Sequence, residues 1–138
     1  MNIVYASNDN YARHLGVSLC SLFDSNQDAP QIDVSILSMG ISSASRRKLD
    51  AIAHRYGRRL HYVELDDLKQ RIPFQVDTGR FDLSTLARLF LGEMLPSSVT
   101  RCIYLDCDTV VVRSLKHLWA TPLGDMAASR EGIHAVRE

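Results

Sequence analysis

The sequence of 138 residues has few features of an extracellular, membrane-spanning or nucleic-acid-binding protein. Its three cysteines are an odd number and form no C-x-x-C pair, which argues against a disulfide framework and favours a reducing compartment. The 16 basic and 16 acidic residues balance, so no basic surface for nucleic acid is indicated. No apolar run approaches the roughly 20 residues that a membrane-spanning helix needs. We therefore expect a globular cytoplasmic protein that does not bind nucleic acid.

Several common catalytic and phosphate-binding motifs are also missing. The seven glycines form neither a G-x-G-x-x-G fingerprint nor a P-loop, the loops that bind diphosphates through backbone N–H groups. The five histidines form no H-E-x-x-H pattern, and there is no G-x-S-x-G nucleophile elbow. A diphosphate bound by this chain would therefore have to be held through a metal ion.

Strand-like and helix-like segments alternate along the chain, which predicts right-handed crossovers and a mostly parallel α/β sheet flanked by helices. Helices are expected after Asp9 or Asn10, either of which could cap the first one, and after Ser42 or Ser43, with Gly57 as a stop. A single domain over residues 1–138 is predicted. We expect it to be truncated after the D-x-D strand region, because the sequence ends about 30 residues beyond that motif in a charged, unpatterned tail at 130–138. The predicted strands lie at 3–6, 32–37, 60–63, 102–105, 110–112 and 126–128, and further helices at 84–95 and 115–119.

The segment RCIYLDCDTVVV, at 101–112, is the most informative in the chain. A buried strand there runs into Asp106 and Asp108, and carboxylates at the carboxyl end of a parallel strand are typical of a divalent cation site. The Cys107 side chain is expected to point the opposite way, into the core, because side chains alternate along a strand. A solvated turn with two acids remains the alternative, although no Lys or Arg adjoins the pair to neutralise it.

A second polar group follows the first strand, where α/β folds take nucleotides. Asn8, Asp9 and Asn10 could match the edge of a base and Tyr11 could stack on it, although a helix cap and turn would use the same residues. Arg88, on a predicted helix, either binds a phosphate or is solvated. The basic cluster at 46–48 is expected to be solvated.

These segments together resemble the family 8 retaining glycosyltransferases of the GT-A (Rossmann-like) fold, which include bacterial lipo-oligosaccharide galactosyl- and glucosyltransferases. The resemblance is collinear over nearly the whole chain. It rests on MNIVYASNDNYARHLGVSLCSL, STLARLFLGEMLP, RCIYLDCDTVVVRSLKHLW and TPLGDMAAS.

The resemblance implies transfer of galactose or glucose from a UDP-sugar to a saccharide or lipid-linked saccharide acceptor, in lipopolysaccharide biosynthesis and peripheral to the inner membrane. Asp106 and Asp108 would ligate Mn²⁺, with Mg²⁺ as the alternative. Arg88 would bind the phosphate or sugar side of the donor, and Cys107 would contact the nucleotide through its backbone. The residues that would hold uridine are Ala6, Ser7, Asn8, Asp9, Asn10 and Tyr11.

Two departures from the family pattern affect these expectations. Asn8 stands where the family more often has Asp, but its amide oxygen can still accept the uracil N3–H. The family's third metal ligand, a His, and its acceptor-binding residues lie in later segments, so no catalytic residue is assignable here. We expect this chain to bind donor without transferring the sugar by itself, and to self-associate through exposed apolar surface.

Two other functions fit parts of the pattern. CIYLDCDTV also resembles the first motif of haloacid-dehalogenase-type phosphatases, with Asp106 as nucleophile and Asp108 as general acid. That motif usually opens the chain and needs later motifs, whereas here it follows about a hundred residues. The chain could also be a non-catalytic nucleotide-binding fragment.

Overall fold

The computed structural model describes residues 1–65 and 91–122 of the chain. The predicted start of the third helix, Arg88 and the predicted strand at 126–128 lie outside these residues. The described elements, in chain order, are β1 (Asn2–Asn8), a 3₁₀ turn (Asp9–Tyr11), α1 (Ala12–Asp24), β2 (Asp33–Met39), α2 (Ser43–Arg55), β3 (Leu60–Glu64), α3 (Leu91–Met94), β4 (Ile103–Tyr104) and α4 (Lys116–Ala120).

The four strands form one sheet in the order β3-β2-β1-β4, and every pairing is parallel. β1 pairs with β2 along its whole length, whereas β4 meets β1 only at Ile3↔Ile103 and Val4↔Tyr104. Parallel strands place all their carboxyl ends at one edge of the sheet, where such folds bind ligands. The predicted parallel α/β architecture is confirmed.

The central strand β1 is buried on both faces of the sheet, and its successive residues point to opposite sides. Ile3 and Tyr5 join one core cluster, which contains the apolar sides of α1 and α2. Val4 and Ala6 join a second cluster on the other face, against which α3 packs. The α1 residues that line the first cluster are Leu15, Leu19, Leu22 and Phe23, and burying each stabilises the fold by about 1.5–3 kcal/mol.

The predicted limits of α2 are confirmed, but the predicted cap of α1 is wrong. Ser42 caps α2 by accepting the Ser45 N–H at 3.2 Å, and Gly57 follows the helix with a φ of +66°. Before α1, it is the Asn8 side chain that accepts a backbone N–H, that of Tyr11 at 3.2 Å. Asp9 and Asn10 therefore lie inside the 3₁₀ turn and do not cap α1.

The predicted strand at 110–112 is also wrong. The Val111 N–H donates to Ser21 Oγ at 2.9 Å, and Ser25 Oγ donates to the Val111 carbonyl at 2.7 Å. The side chains of Ser21 in α1 and of Ser25 at its C-terminal cap thus take the hydrogen bonds that a neighbouring strand would have made. The buried Asn26 continues this arrangement by accepting the Leu115 N–H at 2.7 Å, just before the predicted helix α4, which is confirmed.

Within residues 1–65 and 91–122, no helix is both long and apolar enough to cross a membrane. Cys20, Cys102 and Cys107 are all free thiols.

Candidate functional site

The carboxyl ends of β1 and β4 lie side by side. The pairing of the two strands continues past Tyr104, because the Leu105 N–H donates to the Val4 carbonyl at 2.9 Å. Asp106 is the residue after Leu105, and Ser7 and Asn8 end β1. The polar loop (residues 8–11) and the D-C-D turn (residues 106–108) therefore follow neighbouring strands at the same edge of the sheet, although they are distant in sequence.

The D-C-D turn exposes its two carboxylates and buries the cysteine between them. The Cys107 thiol donates to the Ala6 carbonyl at 2.8 Å, which fastens the turn to β1 and confirms the predicted inward orientation. Burial raises the pKa of the Cys107 thiol; a hydrogen bond with Ser7 opposes this shift, and the charges of Asp106 and Asp108 add to it. The thiol thus keeps its proton at neutral pH and serves as a donor.

Thr109 closes the D-C-D turn. Its N–H and its hydroxyl both donate to the Asp106 carbonyl, at 3.2 and 2.7 Å. The Asp106 carbonyl is thereby directed toward the protein, while the Asp106 side chain stays at the surface.

The polar loop exposes some of its predicted nucleoside-binding residues and buries the strand end behind them. Asn10 and Tyr11 are exposed, and the Tyr11 ring lies 5.3 Å from that of His14. Ala6 and Ser7 are buried at the end of β1, and the Ser7 hydroxyl donates to the Asn8 carbonyl at 3.1 Å. Asn10 and Tyr11 are therefore the side chains of the loop that a ligand can reach most easily.

Asp9 is exposed, but its carboxylate is already engaged. It accepts the Ser42 N–H at 2.9 Å, at the N-terminus of α2. Hydrogen bonds from Ser45 and then from Ser42 lower the pKa of Asp9 below its ordinary value. This hydrogen bond thus fixes the polar loop to the N-terminus of α2.

Arg46 makes further contacts near the start of α2, which the sequence did not indicate. Its guanidinium pairs with Glu64 at 2.7 Å and donates to Ser38 Oγ at 2.9 Å and to the Ile41 carbonyl at 3.0 Å. The expected solvation of this basic cluster is therefore wrong for Arg46, although Arg47 and Lys48 are exposed. The bond from Arg46 lowers the pKa of Glu64.

The donor atoms at the D-C-D turn suit a hard divalent cation. Asp106 and Asp108 offer two exposed carboxylates, the ligand type that Mg²⁺ and Mn²⁺ prefer. Within the two described stretches of the chain, no group of three or more His, Cys, Asp or Glu is placed to hold a metal. The turn therefore fits part of a metal site.

A family model described as glycosyl transferase family 8 matches residues 2–135. The chain belongs to glycosyl transferase family 8. Its structure matches that of the galactosyltransferase LgtC with a TM-score of 0.77 and 33% sequence identity, over 91% of this chain and 44% of LgtC. That LgtC structure contains donor and acceptor sugar analogs. The predicted family and the predicted GT-A fold are confirmed.

Curated relatives agree with this assignment. A putative glycosyltransferase of Haemophilus influenzae is 29% identical over 140 residues, which are 99% of this chain and 41% of the relative. General stress protein A of Bacillus subtilis is 26% identical over 120 residues, 86% of this chain and 41% of the relative. The chain thus spans about four-tenths of the length of these two relatives. Membership of glycosyl transferase family 8 argues against the haloacid-dehalogenase-type phosphatase.

Proposed function

We propose that this family 8 chain binds the donor in a hexosyltransferase that moves galactose or glucose from a UDP-sugar to a saccharide acceptor with retained anomeric configuration. The observation that carries the proposal is the pairing of β1 with β4, which places the polar loop beside the D-C-D turn. A nucleoside and the diphosphate attached to it need two such adjoining sites, one with amide and aromatic groups and one that suits a metal.

The polar loop supplies groups that match uridine. The amide of Asn10 carries both donors and an acceptor for the edge of the base, and the exposed ring of Tyr11 offers a stacking face. The Asn8 amide oxygen accepts the Tyr11 N–H, and an amide oxygen is also the type of acceptor that would suit the uracil N3–H. Ala6 and Ser7 would form the floor beneath the nucleoside.

Asp106 and Asp108 would hold Mn²⁺, or Mg²⁺ in its place. When bound, the cation would offset the negative charge that develops on the departing UDP. The chain's own contribution is to hold the two carboxylates at the surface, since Cys107 and Thr109 anchor the turn that carries them. The Cys107 backbone would lie against the nucleotide, and Arg88 would bind the phosphate or sugar side of the donor.

The acceptor and the cellular setting are proposed from similarity to the lipo-oligosaccharide enzymes. The LgtC structure with both sugar analogs supports a saccharide acceptor, and we propose that this saccharide is free or lipid-linked. We place the reaction in lipopolysaccharide biosynthesis, in the cytoplasm and peripheral to the inner membrane, and the free thiols accord with a reducing compartment. We also propose that the chain binds donor without transferring it, and that it self-associates.

Nucleotide preference tests the proposal. UDP, CDP and ADP are titrated into the 138-residue chain by calorimetry with Mn²⁺ present, followed by UDP-galactose and UDP-glucose. We expect UDP to bind at least about tenfold more tightly than ADP, a difference of about 1.4 kcal/mol. Equal affinities would contradict a uridine site. Hydrolysis of a phosphomonoester with Mg²⁺, abolished by Asp106→Asn, would instead support the phosphatase.

A further inference from the structure

We propose that Thr109 is a positioning residue for the metal site. Its hydroxyl is the last of three linked hydroxyl groups, which begin at Tyr5 in the core and all donate their hydrogen bonds in the same direction. This chain of bonds fixes the backbone of the D-C-D turn, and so the placement of Asp106 and Asp108. The inference rests on the proposed function, because it concerns how the proposed cation is held.

Three hydroxyl groups link the core to the turn. The Tyr5 hydroxyl lies 3.0 Å from Ser18 Oγ, and Ser18 Oγ lies 3.3 Å from Thr109 Oγ1. Thr109 Oγ1 then donates to the Asp106 carbonyl at 2.7 Å. The Ser18–Thr109 link is the longest of the three and therefore the weakest.

Counting protons fixes the direction of these bonds. A hydroxyl has one proton to donate, and Thr109 spends its proton on the Asp106 carbonyl. Ser18 must then be the donor to Thr109, which leaves Tyr5 as the donor to Ser18. All three protons therefore point toward Asp106, and hydrogen bonds aligned in this way polarise one another.

The surroundings keep this arrangement in place. Tyr5 and Ser18 are fully buried, so a hydroxyl left without a partner there would be costly. Burial raises the pKa of Tyr5 to about 12, which keeps its proton in place at physiological pH. The bonds thus define one orientation of the Asp106 carbonyl.

The segment after the turn is held separately, which allows the role of Thr109 to be isolated. Ser21 and Ser25 bind the backbone of Val111, and Asn26 binds that of Leu115. Removing the Thr109 hydroxyl should therefore loosen the turn without detaching the segment that follows. Ser25→Ala is the matched control, because it removes a hydroxyl-to-carbonyl bond from the same segment beyond the turn.

The test compares Thr109→Val, Thr109→Ser and Ser25→Ala in the 138-residue chain. Mn²⁺ alone is titrated and free Mn²⁺ is followed by electron paramagnetic resonance, and UDP is titrated with and without Mn²⁺. We expect Thr109→Val to weaken Mn²⁺ binding about tenfold, or about 1.4 kcal/mol, and to weaken UDP binding only through this loss of Mn²⁺, so that saturating Mn²⁺ restores it. Thr109→Ser should restore Mn²⁺ binding, and Ser25→Ala should lower only the melting temperature.

The outcomes separate this inference from the proposed function. If the unmodified chain takes up no Mn²⁺ and shows no Mn²⁺-dependent UDP binding, the proposed metal site fails and the positioning role fails with it. If the unmodified chain binds Mn²⁺ and Thr109→Val binds it equally well, only the positioning role is overturned. Should Thr109→Val not fold, Tyr5→Phe decides: we expect a smaller loss of Mn²⁺ affinity, and an unchanged affinity would overturn the role.

Discussion

The carboxylate of Asp9 accepts the backbone N–H of Ser42 at 2.9 Å, which joins the polar loop to the N-terminus of α2 across 33 positions of sequence. The Arg46 side chain donates to the carbonyl of Ile41, the residue before Ser42, and so also fixes the backbone at the start of α2. The loop that we propose presents Asn10 and Tyr11 to a nucleoside is thereby fixed to α2. Asp9 can thus affect nucleotide binding by fixing the loop, whether or not it touches uridine.

Replacing Asp9 should weaken UDP binding, because the hydrogen bond that fixes the polar loop to α2 is lost. Asp9→Ala removes the acceptor and should lower the UDP affinity several-fold in calorimetry, whereas Asp9→Asn keeps an oxygen for the Ser42 N–H and should retain most of it. Asp24→Ala, at the last residue of α1, is the control. If Asp9→Ala binds UDP as tightly as the unmodified chain, the Asp9–Ser42 hydrogen bond is not needed for UDP binding.

Acid should weaken the same hydrogen bond between Asp9 and Ser42. Because hydrogen bonds from Ser45 and Ser42 lower the pKa of Asp9, its stabilising contribution is present above the unfolded-state pKa of about 3.9 and is lost as the pH falls through the folded pKa. Melting temperatures measured from pH 6 down to pH 3 should therefore decline less steeply in Asp9→Asn than in the unmodified chain. Parallel declines would contradict this expectation.

Ser42 should stabilise α2 through its cap. Its hydroxyl accepts the Ser45 N–H, and replacing a serine cap by alanine typically costs about 1 kcal/mol. Urea unfolding of Ser42→Ala should show that loss. Ser43→Ala, at an exposed neighbouring position, should stay within about 0.5 kcal/mol of the unmodified chain. Equal losses in the two variants would argue against the cap.

Arg46 should matter to stability and Arg47 should not. The Arg46–Glu64 pair is partly exposed, so the pair itself contributes only about 0–1 kcal/mol. Arg46→Gln also removes the bonds to Ser38 and Ile41, so its unfolding free energy should fall measurably below that of Arg47→Gln. Because Arg46 lowers the pKa of Glu64, the stability gained from the pair is present above about pH 4.3 and is lost below the folded pKa.

Gly16 lies where α1 and α2 pack closely, and its substitution should depend on Ile52. A Cβ at Gly16 would lie 3.3 Å from Ile52 Cδ1 and 3.7 Å from Leu49 Cδ2. An alanine at this position should stabilise α1 by about 1 kcal/mol through its higher helix propensity. Crowding of its Cβ against Ile52 opposes that gain. Gly16→Ala should therefore be close to neutral alone and stabilising in an Ile52→Val background. A double-mutant cycle by urea unfolding measures this, and strict additivity would contradict it.

Much of the fold follows from local sequence patterns. Apolar periodicity located β1 to β4, α1, α2 and α4, since each element buries a face that its own residues define. Alternation along a strand also placed Cys107 inside and the two aspartates outside. The parallel order then brought the polar loop to the D-C-D turn, as topology alone would predict.

The failures arose where distant side chains replaced local structure. Three consecutive valines at 110–112 predicted a strand, but hydroxyl groups of Ser21 and Ser25, some 90 positions earlier, satisfy the Val111 backbone. Arg46 looked solvated because Glu64 and Ser38 become its neighbours only through the sheet. The predicted caps of α1, Asp9 and Asn10, instead lie in a 3₁₀ turn that Asn8 caps, and the Asp9 carboxylate accepts the distant Ser42 N–H.

The central claim is that the D-C-D turn binds the metal through which a UDP donor is held. Its most direct test is a calorimetric titration of UDP into the chain with and without Mn²⁺, repeated on a double variant carrying Asp106→Asn and Asp108→Asn. Circular dichroism confirms that both proteins are folded. The account predicts UDP binding that requires Mn²⁺ and disappears in the double variant. UDP binding that is equally tight without Mn²⁺ and in the double variant would contradict it.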